Sequence, residues 1–150
     1  MEALETSATL IQYIIVKMGD EQFGIDISYI DNIVRMQSMT RVPKVAEYIK
    51  GVINLRGEVI PVISMRLKIG IEPDEYTNKT RIIIVKAEEY GRIGIIVDEV
   101  REVITMNSDD IDRIAKSKDD RATYLQGVGK VNDTLVSILD LNALLSTEQA

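Results

Sequence analysis

The side chains best suited to chemistry in this sequence are carboxylates. Glu58 with Asp98, or Asp26 with Glu99, would serve general acid–base catalysis if each pair met, one group protonated and its neighbour ionised. Nothing in their spacing along the chain brings either pair together. A third acidic group, Asp109, Asp110 and Asp112, has the density of a calcium loop but lacks the central Gly and the terminal bidentate Glu of an EF-hand. Asp109 and Asp110 are expected instead to cap a short helical turn after Ser108. Histidine and cysteine are absent. Their absence removes the commonest general base, thiolate chemistry, Ser–His–Asp and Cys–His arrangements and the usual zinc sites. No P-loop and no G-x-G-x-x-G occurs. The expectation is a protein that is not an enzyme and takes no cofactor and no metal.

The elements that would position any site follow from an internal repeat. Ile14-Ile15-Val16-Lys17 recurs as Ile83-Ile84-Val85-Lys86, and each is followed by a polar turn. Phe23 to Met36 then aligns without a gap on Ile93 to Met106, and Tyr48 to Gly70 on Tyr124 to Ser146. Tyr48/Tyr124, Gly51/Gly127 and Val52/Val128 recur in register, and the apolar pattern Val59, Ile60, Val62, Ile63, Met65 is kept as Leu135, Val136, Ile138, Leu139, Leu141. Two ungapped matches in the same chain order indicate a duplication.

The β-branched runs predict strands. In the first copy they lie at Leu10 to Met18, Gln22 to Asp26 and Ile30 to Met36, with a hairpin of Val52 to Leu55 and Val59 to Ile63. In the second they lie at Thr80 to Lys86, Arg92 to Val97 and Val100 to Met106, with a hairpin of Val128 to Val131 and Leu135 to Leu139. Arg56-Gly57-Glu58 and Asn132-Asp133 are the expected turns. Short helices are expected at Ser64 to Ile69 and Leu141 to Leu145, and the link runs from Gly70 to Asn78. Five strands per copy fit a small closed barrel, which leaves no sheet edge. The expected fold is therefore mainly β: two tandem five-stranded barrels, subdomain 1 at about 10–70 and subdomain 2 at about 80–146, inside one domain. A groove between them is a natural docking site.

Where two copies share a scaffold, differences between them report function. The second hairpin turns on Asn132-Asp133, but the first places Arg56 where no turn requires arginine. Arg56 is either a binding anchor, since the guanidinium fork bonds carboxylates and carbonyls, or a surface arginine lying over its own barrel. Ile30, Ile33, Val97 and Val100 are either core residues or the apolar lining of the groove. Gly51 must be small or unusual in conformation, and its match at Gly127 favours a structural reason.

The segment YIKGVINLRGEVIP, Tyr48 to Pro61, closely resembles the signature of CheW-type chemotaxis coupling proteins. The opening Gln12 to Ile33, the stretch IGIIVDEV from Ile93 and YLQGVGKV from Tyr124 are similar to that family as well, so the resemblance spans about Ile11 to Leu145. It implies two SH3-like barrels around a shared apolar core. It implies a scaffold that binds a chemoreceptor's helical-hairpin tip and the regulatory domain of the chemotaxis histidine kinase. By that resemblance the receptor contact falls on Ile30, Ile33, Gly51, Asn54, Arg56, Gly57, Val97 and Val100. The kinase contacts fall on Val42, Val45 and Tyr48 in the first barrel and on Asp112, Ile114 and Ser117 in the second. A family position that is commonly acidic is Asn32 here, so no salt bridge carries over to it.

The remaining classes fare worse. The formal net charge is -6, with one Phe and no Trp. Single-stranded nucleic acid would need a basic groove and stacking aromatics. No apolar run approaches the ~18 residues of a membrane span, and no leader pattern opens the chain, so a cytoplasmic protein is expected. The same fold as the regulatory module of a kinase or of a coupling–receiver protein would bring further domains. The polar ending after Leu145 favours a stand-alone coupler.

Overall fold

Strand formation follows the apolar runs closely. The computed structural model describes residues 9–72, 75–87, 91–113 and 124–145. In the first half, β1 is Leu10–Met18, β2 Glu21–Asp26, β3 Ile30–Arg35, β4 Ile49–Leu55 and β5 Glu58–Ser64, followed by helix α1, Met65–Lys68. In the second half, β6 is Arg81–Ala87, β7 Gly91–Val97, β8 Glu99–Asn107, β9 Ile111–Arg113, β10 Leu125–Val131 and β11 Thr134–Leu139, followed by helix α2, Leu141–Leu145. Single 3-10 turns, Ile27–Tyr29 and Ser108–Asp110, join β2 to β3 and β8 to β9.

The strands form one sheet in the order β8-β1-β2-β11-β10-β9 and a second in the order β3-β6-β7-β5-β4. Under the repeat, β3 corresponds to β8, β6 to β1, β7 to β2, β5 to β11 and β4 to β10. The two orders are then the same order. Even the irregularities coincide. The β1–β8 ladder steps from Val16↔Val100 to Ile15↔Glu102, and the β3–β6 ladder steps from Val85↔Ile30 to Ile84↔Asn32. The β4 ladder slips between Ile49 and Gly51, and that of β10 slips between Leu125 and Gly127.

Subdomains at about 10–70 and 80–146 therefore do not coincide with the barrels. The β1–β2 hairpin lies in the sheet of the second half, with β2 parallel to β11, while β6–β7 lies in the sheet of the first half, with β7 parallel to β5. Apolar periodicity marks which residues are strands, but it carries no information on which strand each will pair with.

Both sheets bend back on themselves. β8 and β9, at opposite edges of the first, are joined by the Ser108–Asp110 turn, and beyond β3 the chain returns so that Thr40 bridges Val52 on β4. Asn107, not Asp109 or Asp110, caps that turn, its Oδ1 accepting the Asp109 N–H at 2.8 Å. The two aspartates lie inside the turn. The three-residue β9 has no apolar run long enough to announce it.

The six-stranded sheet that begins with β1 but holds most of the second half, called barrel 1 from here on, closes on Tyr13, Ile15, Met106, Val136 and Ile138, and the five-stranded sheet that holds most of the first half, barrel 2, closes on Ile53, Ile60, Val62, Ile82, Ile84 and Ile96. A third, larger cluster lies between them and includes Ile14, Val16, Phe23, Ile25, Ile83, Val85, Ile95 and Leu139. Strands β1 and β6 thus bury one face in a barrel and the other in the shared core, which is why their sequences are continuous apolar runs rather than alternating ones.

Gly51 and Gly127 owe their identity to the same close approach. A Cβ on Gly51 would stand 2.5 Å from the Thr40 carbonyl oxygen, and one on Gly127 would stand 2.6 Å from that of Asp112. Gly51 also has φ +152°. Substituting Ala at either glycine should destabilise the protein by ~1–3 kcal/mol, read as a fall of several degrees in Tm by calorimetry. The exchanged hairpins carry a second expectation. Residues 1–72 and 75–150 made as separate chains should each lack a cooperative thermal transition, and mixing them should restore one. Independent folding of either half would contradict the reciprocal exchange.

Candidate partner-binding surfaces

The β4–β5 hairpin is closed by a two-residue turn. Leu55 pairs directly with Glu58, so Glu58 belongs to the strand and only Arg56 and Gly57 turn. Their φ angles are +54° and +84°, and those of Asn132 and Asp133 in the second hairpin are +48° and +66°. Positive φ at both central residues is the type I′ geometry, which matches the strand twist and favours Asn, Asp and Gly. Arg56 occupies the left-handed region without such a side chain, at a cost of about 1 kcal/mol. Asn54 steadies the turn by accepting the Gly57 N–H on Oδ1 at 3.1 Å. Asn54, Arg56 and Gly57 are all exposed, and among the described residues no hydrogen bond or ion pair holds the Arg56 guanidinium.

Ile30, Ile33 and Val100 are half-buried and pack against the shared core from β3 and β8, the outermost strands of their sheets. Val97 does not join them at the surface. It is fully enclosed in the shared core, so no partner reaches it without opening the barrels. Gly51 is likewise buried against the Thr40 backbone, so its part in any contact is to let the chain pass. The sequence pattern did not mark Val59, Leu135 and Val103 as surface residues, yet they are 61%, 65% and 49% exposed.

Val42 and Val45, 38% and 41% exposed, lie in the loop between β3 and β4. The loop frames a cavity of about 740 Å³ lined also by Met39, Arg41, Lys44 and Lys50. Tyr48, at its end, packs against the shared core. Asp112 is exposed on β9 and pairs with Val128 on β10. Ile114 and Ser117 lie outside the described residues.

The carboxylates do not pair with one another as acid–base chemistry would require. Glu58 accepts from Arg92 at 2.8 Å, and Arg92 also reaches Asp31 at 3.1 Å. Asp26 accepts the Ser28 N–H at 2.9 Å, and Glu99 faces Arg101. Asp98, between β7 and β8, takes both prongs of Arg66 from α1, with Nε to Oδ1 at 2.9 Å, and accepts the Gly19 N–H at 2.9 Å. This clasp ties the β1–β2 turn of barrel 1 to α1, which follows β5 of barrel 2. Among the described residues no group of three or more acidic side chains is placed to hold a metal ion, and no helix is long and apolar enough to cross a membrane.

Residues 12–149 match the CheW-like domain. The chain belongs to this family. It is 35% identical over 144 residues to the chemotaxis protein CheW of Helicobacter pylori, covering 96% of this chain and 87% of that one. It is also 35% identical over 138 residues to CheW of Bacillus subtilis, covering 91% and 88%. The crystal structure of the scaffolding protein TtCheW from Thermoanaerobacter tengcongensis superposes with a TM-score of 0.85 at 28% identity, covering 100% of this chain and 97% of that one. The CheW-like fold is the pair of SH3-like barrels described above, and the segment in which the resemblance is most evident, Tyr48 to Pro61, spans β4, the strained turn and the first part of β5.

Burial raises the Asp98 pKa, but the Arg66 hydrogen bonds, the Gly19 N–H and the charges of Arg66 and Lys17 outweigh it and hold the carboxyl below its ordinary value. A depressed folded-state pKa stabilises above the unfolded value of about 4 and is lost as pH falls through the lower folded value. Asp98→Asn should therefore be less stable than the wild type at pH 7 by about 1–2 kcal/mol. The gap should narrow below about pH 4. Urea titrations across that range would show it, and a gap independent of pH would refute the ionised clasp.

Proposed function

We propose that this chain is a non-enzymatic scaffold of bacterial chemotaxis that couples the helical-hairpin tip of a chemoreceptor to the regulatory domain of the histidine kinase. It works in the cytoplasm, beside membrane-anchored receptors. Membership of the CheW-like family and the names of its relatives support the role. One structural observation carries the site. Arg56 stands exposed, and unheld among the described residues, in a left-handed turn that the second copy fills with residues suited to it. Backbone strain at a position whose neighbours do not need that residue is the mark of a functional demand.

On this reading the receptor tip lies against Ile30, Ile33 and Val100, an apolar strip at the margin of the shared core, as a helix laid in a groove. Arg56, with Asn54 and Gly57, meets polar groups at its rim. Gly51 and Val97 support the surface from beneath. The kinase domain takes Val42, Val45 and Tyr48 in barrel 2 and Asp112 on barrel 1, together with Ile114 and Ser117. Two modest contacts held on one scaffold gain strength through effective concentration.

Arg56→Asn separates binding from folding. Asn suits the left-handed turn, so the variant should be more stable by ~0.5–1 kcal/mol, seen as a raised Tm. It should bind a receptor cytoplasmic fragment at least tenfold more weakly, or about 1.4 kcal/mol, while keeping the kinase regulatory domain. Pull-down and calorimetric titration beside a thermal melt check all three. Undiminished receptor binding would remove Arg56 from the site.

A further inference from the structure

Lys68 is 8% exposed, a charged side chain within the apolar zone between the barrels. Its Nζ lies 3.8 Å from the ring centroid of Tyr48 and 5.8 Å from that of Tyr124, both within the range of cation–π attraction. These tyrosines are equivalent in the two copies. Tyr48 leads into β4 of barrel 2, and Tyr124 leads into β10 of barrel 1. Each carries the same backbone bond. The Tyr48 carbonyl accepts the Ser64 N–H at 2.7 Å, and the Tyr124 carbonyl accepts the Asp140 N–H at 2.8 Å. Ser64 and Asp140 in turn accept the Leu67 and Ala143 N–H groups at the starts of α1 and α2.

The duplication supplies an internal control. The position equivalent to Lys68 is Leu144, which is fully buried. The fold thus accepts an aliphatic side chain at this site, and packing alone does not call for a cation. Packing alone also does not pin Tyr48, because its ring lines an apolar cavity of about 270 Å³ with Ile49, Pro61, Ile93 and Leu144.

We propose that Lys68 is a positioning residue that joins the two barrels through Tyr48 and Tyr124, setting the Val42–Tyr48 loop for its partner and transmitting a disturbance at that loop to the other barrel. The partner's identity, the kinase regulatory domain, rests on the function proposed above; the joint itself does not.

The test uses the full chain with Lys68→Leu and Lys68→Arg. Amide hydrogen exchange at Ser64 and Asp140 reads the joint, and titration with the kinase regulatory domain and with a receptor fragment reads its use. Lys68→Leu should fold with an unchanged circular dichroism spectrum. It should speed exchange at both amides and weaken the kinase domain about fivefold, the lower end of common coupling effects, with receptor affinity unchanged. Lys68→Arg, which keeps the cation, should stay near wild type in every readout. Unchanged exchange, or a change at Ser64 alone, would overturn the joint, and unaltered kinase affinity in Lys68→Leu would overturn its positioning role. Exchange altered at both amides in a protein whose wild type does not bind the kinase domain would uphold the joint and refute the proposed function instead. Should Lys68→Leu not fold, Tyr124→Leu takes its place: accelerated exchange at Ser64, in the opposite barrel, supports the joint, and unaltered exchange there overturns it.

Discussion

Two short parallel seams hold the architecture together. β2 against β11 and β7 against β5 each pair a strand of one half with a strand of the other, in the same register under the repeat. Parallel pairing needs a crossover, and the two differ in length: between β5 and β7 the chain passes α1 and β6, whereas between β2 and β11 it passes every strand of the other sheet. Once the seams form, β1 and β6 each have one face in a barrel and the other in the shared core. The Ile- and Val-rich runs are the consequence. A strand covered on both sides has no solvent face on which to place polar residues.

The first copy's short helix reinforces the same junction with polar contacts. From α1, Arg66 reaches Asp98 between β7 and β8, and Lys68 reaches the two equivalent tyrosines. The second copy has Asn142 and Leu144 at these places, so the duplication has diverged into a polar side and an apolar side at its own centre. Partly buried pairs of this sort are weakly screened and add more than surface ion pairs do.

The surfaces differ by the same logic. Where the copies agree, as at Gly51 and Gly127, a backbone carbonyl stands where a side chain would go, and the reason is steric. Where they disagree, as at Arg56 and Asn132, the backbone is alike and only the side chain has changed. Among the described residues Arg56 is exposed and held by no hydrogen bond or ion pair, and Ile30, Ile33 and Val100 are half-buried at the margin of the shared core.

The duplication, ten of the eleven strands among the described residues and the closure into barrels were legible in the sequence, because β-branched runs, turn residues and self-similarity are local or periodic signals. So was the family, through the Tyr48 to Pro61 segment. The tertiary structure alone decided that each barrel takes a hairpin from the other half, because a one-dimensional pattern records burial and not pairing. It also decided that Val97 lies inside and Ile30 at the margin, although both are apolar residues near strand ends. The partners of Asp98 and Lys68 were equally hidden. They come from positions far apart in the chain, and only packing brings a charge to the group that neutralises or cradles it.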